Sequence, residues 1–290
     1  MIVLLQAIHY NEWLPTVLPD YSMNQFKLYK HSAPRYTGDS TNPAISVVFS
    51  SAAYRFGHTL IPDGFTPVGT NNKPVGKFIT MDNLFNQPDT YRQIGNDGMM
   101  RAFATQHCQG FDHKVSSEIR DNLFRKLHRG MPHDLLARNI MRGREHGLPS
   151  YNKWRRHCGL SVASSFEELD MTKERIKRMK EIYEDVNDID AFIGFISERK
   201  RGLVGATLAC LLGRQFESLK RGDRFFYTNA RENPYPFTRR QVEQLNRISL
   251  SKIVCDNHDI DMMPENAFSY EGKLTQCNKL PGLNLDDFID

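Results

Sequence analysis

The segment NIMRGREHGLP, residues 139–149, contains the end of a predicted helix together with a turn that stops it. The helix covers Asp134–His146, and Gly147-Leu148-Pro149 ends it, because Gly and Pro are the usual residues just beyond a helix C-terminus. Its apolar positions are Leu135, Leu136, Ile140 and Met141. Asn139 and Arg142 lie one turn apart on this helix. Taken alone, the segment is a capped basic helix end with a structural role.

A second helix is predicted upstream, from Pro43 to Ile61. An apolar stripe with i+4 spacing supports it, formed by Val48, Ala52, Phe56 and Leu60. The neighbouring face carries Ser51, Arg55 and His58. A neutral imidazole on a rigid helix is a good iron ligand, and an arginine one turn away can pair with an anionic group. On spacing alone, a packing role for His58 is the commoner alternative.

The remaining pattern predicts a mainly α-helical fold. Further helices are predicted at 1–14, 81–86, 91–104, 115–129, 150–157, 165–168, 172–184, 190–196, 203–219 and 238–248. Residues 15–43 and 62–80 are predicted to be irregular or loop, because Pro, Gly, Ser and Tyr dominate them. The only strand candidates are Phe225-Phe226-Tyr227 and Ile253-Val254-Cys255.

Composition excludes several classes of protein. The net charge of +4 is spread along 290 residues, which argues against a nucleic-acid partner. No apolar run approaches the ~20 residues of a transmembrane helix, so no transmembrane segment is predicted. The N-terminus lacks the basic and small-residue features of a signal peptide and reads as an amphipathic helix stopped near Pro15. A chain that opens inside an uncapped helix is typical of a fragment.

The five cysteines are widely spaced, at positions 108, 158, 210, 255 and 277. None forms a CxxC pair, which argues against a structural zinc site. This spacing fits a reduced protein or one with a few long-range disulfides, and composition leaves both possibilities open.

Read together, several segments resemble the animal haem peroxidase family, which includes myeloperoxidase, thyroid peroxidase and peroxidasin. The resemblance lies in motifs that follow one another in the family's order. They are Tyr54–Ile61, Asn139–Pro149 with Tyr151–Arg156, Asp188–Asp190, Gly202–Cys210, Arg221–Phe226 and Ile253–Asn257. An ordered series of this kind is far more specific than any one motif.

The resemblance implies a role for each matching residue. His58 would be the proximal axial ligand of a haem b iron. Asn139 would accept a hydrogen bond from the imidazole N–H of His58 and so orient the ring. Arg55 and Arg142 would pair with the haem propionates. The resemblance also implies the disulfides Cys158–Cys210 and Cys255–Cys277, and leaves Cys108 as a free thiol.

The family's distal histidine, distal arginine and calcium loop would all precede the region equivalent to Met1. Residues 1–290 would then form the C-terminal, proximal part of the helical catalytic domain, without its N-terminal, distal portion. No catalytic residue and no calcium site can be assigned in this chain. The implied protein is a secreted haem peroxidase that reduces hydrogen peroxide while oxidising a small donor or a halide, with a place in the response to oxidative stress.

Three hypotheses follow from this implied truncation. The chain is part of a peroxidase whose distal residues are encoded upstream, which we favour. Alternatively, it is a non-catalytic haem-binding or interaction fragment, for which Met1 is the true start. In the third hypothesis, a second polypeptide that corresponds to the N-terminal half completes it.

Overall fold

A computed structural model describes residues 2–30, 32, 36–127 and 130–289. The described chain is mainly α-helical, which confirms the predicted class. The α-helices are Ile2–Ile8, Leu14–Val17, Asp20–Gln25, Val47–Ser51, Pro88–Ile94, Asn96–Thr105, Ser117–Arg120, Leu135–Glu145, Tyr151–His157, Lys173–Ile182, Ala191–Ser197, Ala206–Gly222, Arg239–Leu245 and Leu250–Asn257. The 3₁₀-helices are Gly38–Ser40, Ala53–Leu60, Met81–Asn83, Phe166–Glu168, Val186–Asp188, Cys277–Lys279 and Leu285–Phe288.

Two short antiparallel hairpins supply the strands of the described chain. Gly64–Phe65 pairs with Ile79–Thr80, and Met262–Pro264 pairs with Leu274–Gln276. Both strand predictions were wrong. Ile253-Val254-Cys255 lies inside the helix Leu250–Asn257, and Phe225-Phe226-Tyr227 lies in a turn. Short runs of β-branched and aromatic residues do not distinguish a strand from a buried helical segment.

The first helix continues past Pro15, which the sequence predicted as its end. A π-helical turn, His9–Trp13, joins it to the helix Leu14–Val17. The Leu14 N–H donates to the His9 carbonyl, five residues back. Pro15 then stands in the first turn of the next α-helical segment, where a missing N–H does little harm. Met1, at the start of the predicted 1–14 helix, lies outside the described residues.

The predicted helix Pro43–Ile61 is shorter and is broken in two. The α-helix Val47–Ser51 ends at Ala52, whose backbone is not helical (φ −142°, ψ −59°), and the 3₁₀-helix Ala53–Leu60 follows. The apolar stripe is largely confirmed, because Val48, Ala52 and Phe56 are buried and Leu60 packs against the core. The change from α-helix to 3₁₀-helix alters the number of residues per turn. The apolar side chains still share one face, because i+3 and i+4 neighbours both lie on one side of a helix.

Two further predicted helices were too long. Gly95 adopts φ +74° and divides the predicted helix 91–104 into Pro88–Ile94 and Asn96–Thr105. Of the predicted helix 115–129, only Ser117–Arg120 is α-helical. Its last two positions, 128 and 129, lie outside the described residues.

The main core surrounds the helix Ala206–Gly222, the longest one in the described chain. Its buried face includes Leu208, Ala209, Leu212 and Phe216. A neighbouring pair of helices, Tyr151–His157 and Ala191–Ser197, packs at Gly194. A Cβ at Gly194 would lie 2.3 Å from the Tyr151 ring, so the close approach requires glycine there.

Both disulfides that the resemblance implied are present. Cys158 bonds to Cys210, which ties the end of the helix Tyr151–His157 to the long central helix. Cys255 bonds to Cys277 and ties the C-terminal helix to the segment after the second hairpin. Cys108 is a free, exposed thiol.

Candidate functional site

His58 lies in the 3₁₀-helix Ala53–Leu60, on its half-buried side. The same helix is fixed to the core by Phe56 and Thr59, which are 3% and 0% exposed. The Thr59 hydroxyl also donates to the Phe56 carbonyl. The imidazole therefore projects from a backbone that is held on its opposite face.

Asn139 reaches His58 from the helix Leu135–Glu145. Asp134 caps this helix, because its side chain accepts hydrogen bonds from the amides of Leu136 and Ala137. Asn139 is fully buried, and its amide nitrogen lies 2.9 Å from Nδ1 of His58. The structure thus brings together two residues that are 81 positions apart in the sequence.

Arg55 contacts the other end of the same amide. Its guanidinium donates to Oδ1 of Asn139 at 2.9 Å and to the Ser50 carbonyl at 3.0 Å. Because an arginine can only donate, it takes the amide oxygen and leaves the amide NH₂ facing His58. The role implied by the resemblance, with Asn139 accepting from a haem-ligated His58, stays a prediction. In this state Asn139 donates and Nδ1 of His58 accepts.

Arg142 lies one turn beyond Asn139, close to Arg55. Burial lowers the pKa of Arg55, and the positive charge of Arg142 lowers it further. Arg142 pairs with Glu145 at 3.2 Å on the exposed surface, whereas Arg55 has no carboxylate partner among the described residues. Arg55 and Arg142 together carry two positive charges, and only Arg142 has a carboxylate partner in the described part of the chain. The resulting local excess of positive charge favours an anion.

The surroundings of His58 favour the neutral form of its ring. Burial lowers its pKa from the ordinary 6.5, and the charge of Arg55 adds to the effect. In the described part of the chain, Nε2 of His58 has no hydrogen-bond partner. A neutral imidazole with one nitrogen anchored and the other open is the form in which histidine binds a metal.

An ion pair fixes the helix that carries Asn139. Arg144 donates through two nitrogens to Asp190, at 2.9 and 2.7 Å, and Tyr183 donates to the same carboxylate. Two parallel N–H···O bonds set the orientation as well as the distance. The Asp188–Asp190 motif therefore acts as a support for the His58 site.

The described residues contain no cluster of three or more His, Cys, Asp or Glu side chains that could hold a metal ion by itself. Nor does any helix in the described ranges have the length and apolar character needed to cross a bilayer.

Sequence reasoning identified His58, Asn139, Arg55 and Arg142, and the structure places all four close together. It missed the bond from Arg55 to Asn139, which depends on the packing of two distant helices. It also missed the buried carboxylate of Glu198, for which no local pattern in the segment Ser197-Glu198-Arg199-Lys200 gives a signal.

Comparison with known proteins supplies the wider context. The family model for animal haem peroxidase matches residues 1–268. Heme peroxidase 2 from Caenorhabditis elegans is 34% identical over the whole chain, which covers 42% of that protein. Lactoperoxidase from Mesocricetus auratus is 35% identical over 98% of the chain, which covers 41% of it. The chain thus spans about two fifths of the length of these relatives.

Solved structures share the fold. Peroxidase A from Dictyostelium discoideum superposes with a TM-score of 0.69 at 26% identity, over 87% of this chain and 46% of that one. A fatty acid alpha-dioxygenase from Arabidopsis thaliana gives the same TM-score at 21% identity, over 97% of this chain and 51% of that one. The second likeness concerns the fold alone.

Proposed function

Because the chain belongs to the animal haem peroxidase family, we propose that it forms the haem-ligand side of a peroxidase. The proposed reaction reduces hydrogen peroxide while a small donor or a halide is oxidised. The observation that carries the proposal is the His58–Asn139 pair, with an open imidazole nitrogen beside two guanidiniums.

The residues of this site fit a haem b group. Nε2 of His58 would bind the iron, since it is open and the ring is neutral. Arg55 and Arg142 would pair with the two propionates, which supply the anionic charge that this corner of the site lacks. When bound, haem supplies the iron redox chemistry that amino acid side chains cannot provide.

Ligation has a consequence for Asn139. If Nε2 binds iron, the ring proton must lie on Nδ1, which then becomes a donor. The Asn139 amide must turn its oxygen toward His58, and Arg55 must release that oxygen. A propionate offers Arg55 a charged acceptor in exchange for a neutral one, which favours the release. Arg55 would thus link propionate binding to the orientation of His58.

We also infer that residues 1–290 are the C-terminal, proximal part of a larger catalytic unit. Relatives more than twice as long support this inference, because the chain covers about two fifths of them. The distal histidine, the distal arginine and the calcium loop of the family would then come from the rest of the polypeptide, or from a partner that corresponds to the N-terminal half. Turnover by this chain alone is not part of the proposal.

The two disulfides support a secreted protein. Structural disulfides persist in oxidising compartments and are rare in the cytosol. We therefore propose an extracellular location, as expected for a peroxidase that acts on a diffusible donor.

Haem titration of the purified chain tests the ligand assignment. The protein should develop the Soret band of a histidine-ligated ferric haem, and His58→Ala should abolish it. His157→Ala, which removes an exposed histidine elsewhere, is the matched control and should keep the band. In the loaded protein, Asn139→Asp should lower the iron reduction potential, because a carboxylate increases the imidazolate character of His58.

Each outcome separates the hypotheses. An unchanged band in His58→Ala would refute the axial assignment. A band without peroxide turnover, restored to activity by adding the N-terminal half of the polypeptide, would support the divided catalytic unit. A chain that binds haem through His58 and gains no activity with that half would instead be a non-catalytic haem-binding protein.

A further inference from the structure

The loop of the first hairpin connects the strand Gly64–Phe65 to the strand Ile79–Thr80. Its residues Asn71–Phe78, called here the tip, are all exposed. Val75 and Phe78 are each 55% exposed, although both are large apolar side chains. Two such side chains in one short loop suggest contact with something outside the chain.

The tip is held firmly despite its exposure. The Gly69 amide donates to the Lys73 carbonyl at 2.9 Å, and the Val75 amide donates to the Pro67 carbonyl at 2.7 Å. At its base, Val68 is 3% exposed and pairs with Pro74. A loop with a fixed backbone loses little conformational entropy when it binds, so its exposed side chains are ready for contact.

Charge accompanies the apolar side chains. Lys73 and Lys77 lie in the tip, and the sequence has no Asp or Glu between Gly64 and Met81. Neither lysine forms an ion pair with any other described residue.

The carboxylates that border this stretch are occupied by other groups. Asp63 accepts a hydrogen bond from the Ser116 hydroxyl at 2.5 Å, and Asp82 pairs with Arg125 at 2.7 Å. The tip therefore carries two lysines and no carboxylate of its own beside its apolar side chains.

We propose that the tip docks onto the surface of an anionic lipid bilayer. Phe78 and Val75 enter the boundary between headgroups and acyl chains, while Lys73 and Lys77 contact the anionic headgroups. Lysine stems suit this geometry, because they lie along apolar surface while the ammonium stays in water. Two cations with two apolar side chains give weak, reversible attachment, since stable anchoring takes stronger or multiple signals.

Other partners match the tip less well. A soluble polyanion would use the lysines alone and leave Val75 and Phe78 in water. A specific protein interface buries about 1,000 Å² or more in total, which is more than an eight-residue loop supplies alone. A bilayer surface uses both properties without needing a larger footprint. This inference does not rest on haem binding at His58; it requires the tip to stay exposed in the larger catalytic unit proposed above.

Vesicle co-sedimentation of the full chain tests the proposal. The probe is vesicles of phosphatidylserine and phosphatidylcholine, with pure phosphatidylcholine vesicles in parallel. We expect binding to the anionic vesicles that weakens with salt. Phe78→Ser should weaken vesicle binding about tenfold, because the variant buries less apolar surface in the bilayer. The double change Lys73→Gln with Lys77→Gln should weaken it about 30-fold at low salt, since each cation near an anionic surface contributes about fivefold.

Matched controls remove the same kinds of side chain from other parts of the surface. Phe225→Ser removes a phenylalanine that is 51% exposed, and Lys173→Gln with Lys177→Gln removes two exposed charges from a helix. Both controls should bind like the unaltered chain. Absence of binding to anionic vesicles, or equal loss in the controls, overturns the proposal. Equal binding to a soluble sulfated polysaccharide, unaffected by Phe78→Ser, would instead identify a polyanion site.

Circular dichroism of each variant tests whether the fold is retained, which we expect because the changed positions are exposed. The vesicle assay needs no haem. A failure at the tip is therefore distinguishable from a failure at His58, which the Soret band reports.

Discussion

Two polar clusters in this molecule each tie an arginine to a second helix, and they differ in how many of their hydrogen bonds are made. The first, called here the Glu198 cluster, consists of Tyr151, Arg155, Glu198 and Thr207. The second, called here the His58 cluster, consists of Arg55, His58 and Asn139. The Glu198 cluster is buried and its carboxylate is fully hydrogen-bonded, whereas the His58 cluster is half-buried and has an open imidazole nitrogen.

In the Glu198 cluster the carboxylate is 0% exposed and accepts from four donors. These are the Thr207 amide at 2.8 Å, the Thr207 hydroxyl at 2.7 Å, the Tyr151 hydroxyl at 2.8 Å and the Arg155 guanidinium. Arg155 also donates to the Ser161 carbonyl and hydroxyl and to the Tyr151 hydroxyl. Burial raises the pKa of Tyr151, and the Glu198 carboxylate raises it further, so the phenol stays protonated. Such a network stabilises one arrangement of its side chains and leaves no open hydrogen-bonding position for a ligand.

The His58 cluster makes only part of its possible bonds. Asn139 is fully buried and uses both ends of its amide, yet Nε2 of His58 is open and Arg55 binds only neutral acceptors. The neighbouring charge of Arg142 also repels that of Arg55. In this molecule, the saturated and buried Glu198 cluster therefore stabilises the fold, whereas the unsaturated and half-buried His58 cluster is available for a ligand.

Glu198→Ala is expected to give the largest effect. It leaves Arg155, whose side chain is 7% exposed, as an unpaired buried cation. We expect a loss of about 3–5 kcal/mol in the free energy of unfolding, measured by urea denaturation. The matched control is Glu145→Ala, which removes the exposed partner of Arg142 and should cost less than about 1 kcal/mol. Equal losses would show that burial of the Arg155–Glu198 pair does not increase its contribution to stability.

Removal of the Cys158–Cys210 disulfide should have the next largest effect. This bond follows the helix of Arg155 and closes a 52-residue separation, against 22 for Cys255–Cys277. Cys158→Ser with Cys210→Ser should lower the free energy of unfolding by about 2–4 kcal/mol, and exceed the loss in Cys255→Ser with Cys277→Ser by about 0.8 kcal/mol. Haem titration should be unchanged in both double variants. A lost Soret band would show that the His58 cluster depends on the sealed region.

Arg55→Gln should give the smallest effect, on the titration of His58 in the haem-free chain. The pKa of His58 is lowered by burial and then by Arg55, so removing the charge should raise it toward 6.5. Because the pKa of His58 is lower in the folded than in the unfolded chain, the unfolded chain takes up the proton more readily. The contribution of His58 to stability is therefore complete above the unfolded pKa of about 6.5 and is lost as the pH falls below it. Arg55→Gln should lessen this acid-side loss.

Nuclear magnetic resonance of the imidazole protons against pH measures this change in the pKa of His58. Arg142→Gln is the control, and it should move the His58 pKa less, because its charge acts on Arg55 instead. A His58 pKa that stays the same in Arg55→Gln would show that burial alone keeps the ring neutral.

The predictability of each element follows from how local its cause is. The helix Leu135–Glu145 was predicted almost to its ends, since Asp134 caps it and Gly147, with φ +61°, stops it. The break at Ala52 was missed, because α and 3₁₀ turns place nearly the same residues on one face. Ile253-Val254-Cys255 was misread as a strand, because a three-residue apolar run has no period.

By itself, the sequence determined the helical class and, through the resemblance, the four residues proposed for the His58 site and the two cysteine pairs. These depend on composition, spacing and the order of motifs, which are all properties of the linear chain. Only the tertiary structure decided that Arg55 takes the oxygen of Asn139, that Glu198 is sealed among four donors, and that the tip is exposed. The physical reason is that hydrogen-bond partners and solvent exposure depend on which groups from distant segments meet in the folded chain. Such groups compete for the same donor or acceptor atom, and they exclude water from one another.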